Sequence, residues 1–79
     1  MSEKQLQLTY LSPTKKAKII SLEGGQGFQR KLRVMGIREG QTITIISKQP
    51  FRGPFTVKIG NRQTTLGRGM ANKILVEEI

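Results

Sequence analysis

Glycine and proline interrupt this chain so often that no long regular element fits between them. The breaks fall at Pro13, at Gly24, Gly25 and Gly27, at Gly36 and Gly40, at Pro50, Gly53 and Pro54, and at Gly60, Gly67 and Gly69. These are the strongest local breakers of regular structure. At this spacing they leave room for short strands and one short helix, the layout of a small β-rich domain. The 79 residues allow one compact unit, spanning 1–79. A domain of this size buries only about 60% of its unfolded surface. With 35% hydrophobic residues and no cysteine, its core must hold without disulfides, which suits a reducing compartment.

Between the breaks the periodicity assigns the elements. Leu6, Leu8 and Leu11 lead to Ser12-Pro13 and read as a short turn or edge segment, and Ala17 to Leu22 reads as a first strand. The period then changes. Phe28, Leu32 and Met35 recur at i, i+4 and i+7, one face of a helix that begins near Gly25 to Gly27. If Gly36 takes the left-handed position after the helix, Ile37 can close against Leu32 in a Schellman motif.

After the turn Arg38-Glu39-Gly40, the run Gln41 to Lys48 alternates as a strand, with Ile43 and Ile45 on one face and Thr42, Thr44 and Ile46 on the other. Pro50 to Pro54 form a loop. Phe55, Val57 and Ile59 alternate again, and Gly60-Asn61 joins them to Arg62–Leu66 as a tight hairpin. Gly67-Arg68-Gly69 breaks the pairing, Met70 to Lys73 reads as one helical turn, and Ile74 to Glu77 as the last strand. About five short strands, one inserted α-helix and a helical turn before the last strand make a mainly β fold, a small barrel.

The composition narrows the chemistry. The chain has no His, no Cys and no Asp, so the usual proton shuttle and thiol nucleophile are missing, and no enzymatic function or cofactor is expected. The carboxylates are Glu3, Glu23, Glu39, Glu77 and Glu78; Glu77 and Glu78 are adjacent on a strand and point to opposite faces, so no metal site is expected. Gly24 to Gly27 precede a helix without a Gly-Lys-Ser/Thr sequence, which excludes a P-loop. No apolar run reaches the roughly 18 to 20 residues of a membrane span. The first residues also lack the pattern of a signal peptide, and a soluble intracellular protein is expected.

What remains is charge. Fourteen Lys and Arg against 5 acids give +9, a field that attracts nucleic acid, an anionic membrane or an acidic protein surface alike. On the helix, Arg30 and Arg33 project away from the apolar face with Lys31 at its flank, and Arg38 follows. Lys15, Lys16 and Lys18 join this patch if the first strand lies beside the helix. Charged helix faces are routinely just solvated, so the patch is read either as that or as a docking surface. Val34 falls on the same side and is exposed unless Leu6 to Leu11 cover it. Phe51, next to Arg52 in the proline-bounded loop, either folds back on the barrel or meets a partner. The candidate partner-binding residues are therefore Arg30, Lys31, Arg33, Val34, Arg38, Phe51 and Arg52. Leu32, Gly36, Ile37, Gly40 and Gly60 are expected to be structural.

The stretch Ile19 to Met35 followed by Gly36-Ile37-Arg38-Glu39-Gly40, a basic amphipathic helix running into a "Leu-x-x-x-Gly-Ile-x-x-Gly" turn, resembles the FeoA family of ferrous-iron transport accessory proteins. Pro54 through Gly60, Thr65-Leu66 and Ala71-x-x-Ile74-x-Val76 agree with the family's hairpin and closing strand. Thr14 departs from it, standing where many members have Gly, and Gly67 and Met70 replace an Arg and a Glu often seen in the closing segment.

The resemblance implies an SH3-like barrel in the cytoplasm, held at the inner membrane face by FeoB, a membrane Fe(II) transporter with a cytosolic GTP-binding region. It implies an adaptor that binds and modulates FeoB, with the GTPase region as the expected contact. Iron carriage by this chain is not expected, since Fe(II) wants imidazole or clustered carboxylates. A similar barrel ends the DtxR-type metalloregulators, so fold and partner are loosely tied. The alternative function is a basic nucleic-acid-binding module, supported by the +9 charge and Gly67-Arg68-Gly69. Against it, Tyr10, Phe28, Phe51 and Phe55 are too few for a multi-base stacking platform. Contact with anionic lipid is compatible with the adaptor, and exposed strand edges offer self-association.

Overall fold

The computed structural model describes residues 5–51 and 53–79. Its order is β1 (Gln5–Gln7), a 3-10 turn (Leu8–Tyr10), β2 (Lys16–Leu22), α1 (Gln26–Val34), β3 (Thr42–Lys48), β4 (Phe55–Ile59), β5 (Arg62–Leu66), α2 (Arg68–Ala71) and β6 (Ile74–Glu78). The strands form one antiparallel sheet in the order β1-β6-β2-β3-β4-β5, a small SH3-like barrel whose edge strands are β1 and β5.

Alternation builds the interior. Ala17 and Ile19 on β2, Ile43 and Ile45 on β3, Phe55, Val57 and Ile59 on β4, and Ile74 and Val76 on β6 are all buried. Two β-bulges bend the sheet. One falls between Ile19 and Ser21 against β6, the other between Ile45 and Ser47 against β4. A bulge inserts one residue, so it bends its strand and reverses the parity of the faces beyond it. On β2 the buried set therefore runs Ala17, Ile19 and then Leu22.

The leucines at the start do not cover the helix. Leu8 and Leu11 go into the core, at 0% and 1% exposure, and Leu6 packs against it from β1, opposite Val76. The edge segment read from the sequence is thus a sixth strand followed by a turn that buries Leu8 and Thr9. The closing helical turn begins earlier than the sequence predicts, at Arg68 instead of Met70, because Gly67 in extended conformation caps it and its carbonyl accepts from the Met70 and Ala71 N–H groups.

Helix α1 ends as its sequence predicts. Gly36 has φ +89°, its N–H donates to the Arg33 carbonyl, and the Ile37 N–H donates to the Leu32 carbonyl at 2.9 Å. Those are the two bonds of a Schellman motif, and its apolar pair, Leu32 and Ile37, is fully buried. The Gly40 N–H then donates to Ile19 and the Ile19 N–H to Gln41, which delivers the chain to β3. At the β4–β5 hairpin Gly60 takes φ +62° and Asn61 does not, the pattern of a type II′ turn with Gly at its first central position.

Candidate functional site

Cross-strand register sets three side chains in a row on the outer face. Lys16 on β2 lies opposite Thr44 on β3, and Thr44 lies opposite Lys58 on β4. Both lysines are exposed while their neighbours Ala17, Val57 and Ile59 face inward. A cleft of about 220 Å³ opens among Lys16, Thr42, Thr44, Lys58 and Gly60. It adjoins a second, of about 480 Å³, lined by Gln41, Thr42, Ile59, Gly60, Asn61 and Arg62. The two meet at Thr42 and Gly60 and make one groove around the end of the β3–β4 pair, bordered by Lys16 and Lys58 on the outer face and, past the hairpin turn, by Arg62, which pairs with the inward-facing Ile59.

The groove continues to the helix. The Arg62 guanidinium lies over Gly36, and the Arg38 N–H donates to the Gln41 side chain at 2.8 Å. Arg38 is exposed, as are Arg30, Lys31 and Arg33 on α1. The basic face of the helix and the groove are therefore one continuous region joined at the helix C-terminus, where cations are favoured by the helix dipole.

The sequence-derived residues are not all brought together. Arg30, Lys31 and Arg38 stand exposed as expected. Arg33 is also exposed, but its Nη2 lies 3.9 Å from Glu39 Oε2, so part of its charge is already answered, weakly because both groups are half in water. Val34 is 81% exposed and nothing from Leu6 to Leu11 covers it. Phe51 lies away from the helix, in the β3–β4 loop, where it is 97% exposed at φ +59°. Arg52 lies outside the described residues.

Lys16, Lys58 and Arg62 were not separable from other surface cations by sequence alone. The available signal was the strand alternation itself: Lys58 is out of phase with Val57 and Ile59, and the pairing of β2 to β3 to β4 decides that it faces Lys16. Lys16 accordingly lies in the groove part of this region, on β2, and not beside the helix residues. Among the described residues no three carboxylates converge on a possible metal position. The exposed aromatics are Tyr10 and Phe51. Among the described residues no helix is long and apolar enough to cross a membrane.

The family model and a curated relative point to one family. A family model described as "FeoA domain" matches residues 6–78. A curated relative from Porphyromonas gingivalis (strain ATCC BAA-308 / W83), an "Fe(2+) transport protein A/Fe(2+) transporter FeoB fusion protein", is 34% identical over 74 residues. That match covers 94% of this chain but 9% of the relative's length. Among solved structures, an iron uptake regulatory protein (FeoA) has a TM-score of 0.88 at 26% identity, covering 96% of this chain and 100% of its own. Iron(II) transport protein A from Clostridium thermocellum has a TM-score of 0.87 at 36% identity, covering 94% and 46%. A manganese-dependent transcriptional repressor reaches 0.90 over 100% of this chain and 44% of its own, at 18% identity, a likeness of fold alone.

Proposed function

Since this chain belongs to the FeoA family, we propose that it is a cytoplasmic accessory domain of ferrous-iron uptake. It docks on a FeoB-type transporter, on the transporter's cytosolic GTPase region, and catalyses nothing itself. The fused relative carries the proposal: there, a transport protein A segment similar to this chain shares one polypeptide with a FeoB transporter. Fusion holds two modules at high effective concentration, which favours contacts that a separate pair would also use.

The docking region is the groove of Lys16, Lys58 and Arg62 with the helix residues Arg30, Lys31 and Arg38, and it takes an acidic segment of the partner. The +9 charge speeds encounter and sets orientation. Apolar anchors, Val34 within this region and Phe51 beyond it, slow dissociation. Phe51 supports the reading through its backbone: a bulky residue in the left-handed region is strained, and its 97% exposure gives no packing in return. Modulation follows if the domain prefers one transporter conformation, since equal binding to all of them shifts none.

The test is an NMR titration of the ¹⁵N-labelled protein with the cytosolic region of a FeoB transporter, with GTP analogue and with GDP, at physiological salt. Shifts at Lys16, Lys58, Arg62 and residues 30–38 are expected. Shifts confined to other faces would refute the surface. An unchanged spectrum, with saturable shifts from an oligonucleotide instead, would transfer the basic surface to nucleic acid.

A further inference from the structure

At the other end of the β3–β4 pair two cations share one aromatic ring. The Lys48 ammonium stands 5.3 Å from the Phe55 ring centroid, and the Arg68 guanidinium carbon 5.2 Å from it. Phe55 itself is fully buried, so the two cations and the core together seal its ring. The bulge at Ile46 puts Lys48 there. Past that extra residue Lys48 pairs with the inward-facing Phe55 and shares its side of the sheet.

No acid answers these charges among the described residues, where the ion pairs are Lys15 with Glu78 and Arg33 with Glu39. Burial, and then the Arg68 charge, hold the Lys48 ammonium below the ordinary lysine value of 10.5. The donors are under-used as well. Lys48 Nζ donates to the Thr9 carbonyl at 3.0 Å, which leaves two of its three N–H groups. Arg68 Nε is buried with no hydrogen-bond partner among the described residues. A buried unmatched donor is unfavourable and rare in folded proteins, and an ion is among the usual reasons for one.

We propose that Lys48 and Arg68, both over the Phe55 ring, form a socket for a phosphate-class oxyanion, either inorganic phosphate or the phosphate of a monoester. A dianion matches two cations that repel one another. A guanidinium offers the planar donor set that phosphate oxygens accept, and lysine adds a point charge beside it. The socket lies at the opposite end of β3 and β4 from the groove, so an anion held there leaves the groove clear.

The experiment is a ¹H–¹⁵N NMR titration of the full chain, observing the Arg68 Nε–H resonance, with inorganic phosphate, with glycerol 2-phosphate and with sodium chloride at matched ionic strength. A saturable shift with either phosphate and none with chloride is expected. Tighter binding of the ester identifies a phosphorylated molecule as the source, and tighter binding of the inorganic ion identifies free phosphate. Lys48→Met should weaken binding by about tenfold or more, the loss of one charge-assisted contact. Arg68→Lys, which keeps the charge, should still weaken it. Equal shifts with chloride, a linear response, or unchanged affinity in both variants with the fold intact would overturn the socket.

Discussion

The Arg62 guanidinium occupies the space that a side chain at Gly36 would take. Two penalties therefore meet any substitution of Gly36. The backbone at φ +89° is unfavourable for an L-residue by about 1–2 kcal/mol, and the new Cβ displaces Arg62. The guanidinium is the end of a flexible chain and can swing into water, so the backbone penalty dominates. Gly36→Ala should lower stability by about 1–2 kcal/mol, a fall in Tm of about 4–8 °C per kcal/mol for a domain of this size. In a double-mutant cycle with Arg62→Ala, coupling should stay below about 0.5 kcal/mol. Larger coupling would mean that Arg62 is held in place and that steric exclusion governs the site.

Thr14 gives the opposite sign. It sits at φ +71°, where a β-branched residue is a true outlier, and its N–H donates to the Ile45 carbonyl at 2.8 Å, which keeps it there. Thr14→Gly removes the strain and leaves that bond intact. Gly gives back part of the gain through the entropy of the unfolded chain, so the net should be about 0.5–1 kcal/mol of added stability. A higher urea midpoint with an unchanged m value is the expected result. A lower midpoint would show that the Thr14 side chain contributes more than its backbone costs.

The order of elements was legible because Gly and Pro separate them and because the core residues keep period along each strand up to its bulge. Leu32, Gly36 and Ile37 specify the end of α1 by themselves, since a Schellman motif is local. The bulges were not legible. Continued at period two through Ile45-Ile46, the run Gln41 to Lys48 puts Lys48 outside with Thr42, Thr44 and Ile46. In the fold Ile46 is the extra residue, and Lys48 turns toward Phe55. The groove escaped notice for a related reason. Lys16, Thr44 and Lys58 are far apart in sequence, and only the register of three strands brings them into one row.

The position of Lys48 sets a pH dependence. Its folded value is lowered, by burial first and the Arg68 charge second. Between that value and the ordinary 10.5, the unfolded chain binds more protons than the folded one, so stability rises with pH across this window. Below the window the penalty of the charged form is fully present and constant. Lys48→Met removes the linkage. Paired urea denaturation series at alkaline pH should show wild-type stability climbing relative to the variant as pH approaches 10.5. Parallel curves would place Lys48 in ordinary solvent.

Phe51 separates folding from binding. Glycine accepts the left-handed backbone more easily than phenylalanine, and the ring packs on nothing. Phe51→Gly should leave the Tm unchanged or raise it. If the ring anchors the transporter, the same variant should weaken docking by roughly fivefold or more, the usual scale for an interface aromatic, and mostly through faster dissociation. Surface plasmon resonance on the cytosolic region of a FeoB transporter reads both rates. Unchanged dissociation with an unchanged Tm would leave Phe51 outside the interface.

The groove and the helix can be ranked by the same measurement. Arg33 already faces Glu39 at 3.9 Å, so neutralising it alone should disturb docking less than its position on the helix implies. Lys16 and Lys58 flank Thr44 with no acid paired to either among the described residues. Lys16→Gln with Lys58→Gln should therefore slow association more than Arg33→Gln does, and should flatten its dependence on salt, because rim charges act chiefly on encounter. Both lysines are exposed, so the double variant should keep its Tm. If Arg33→Gln proves the more damaging, the partner lies along α1, and Glu39 serves to hold Arg33 in position for it.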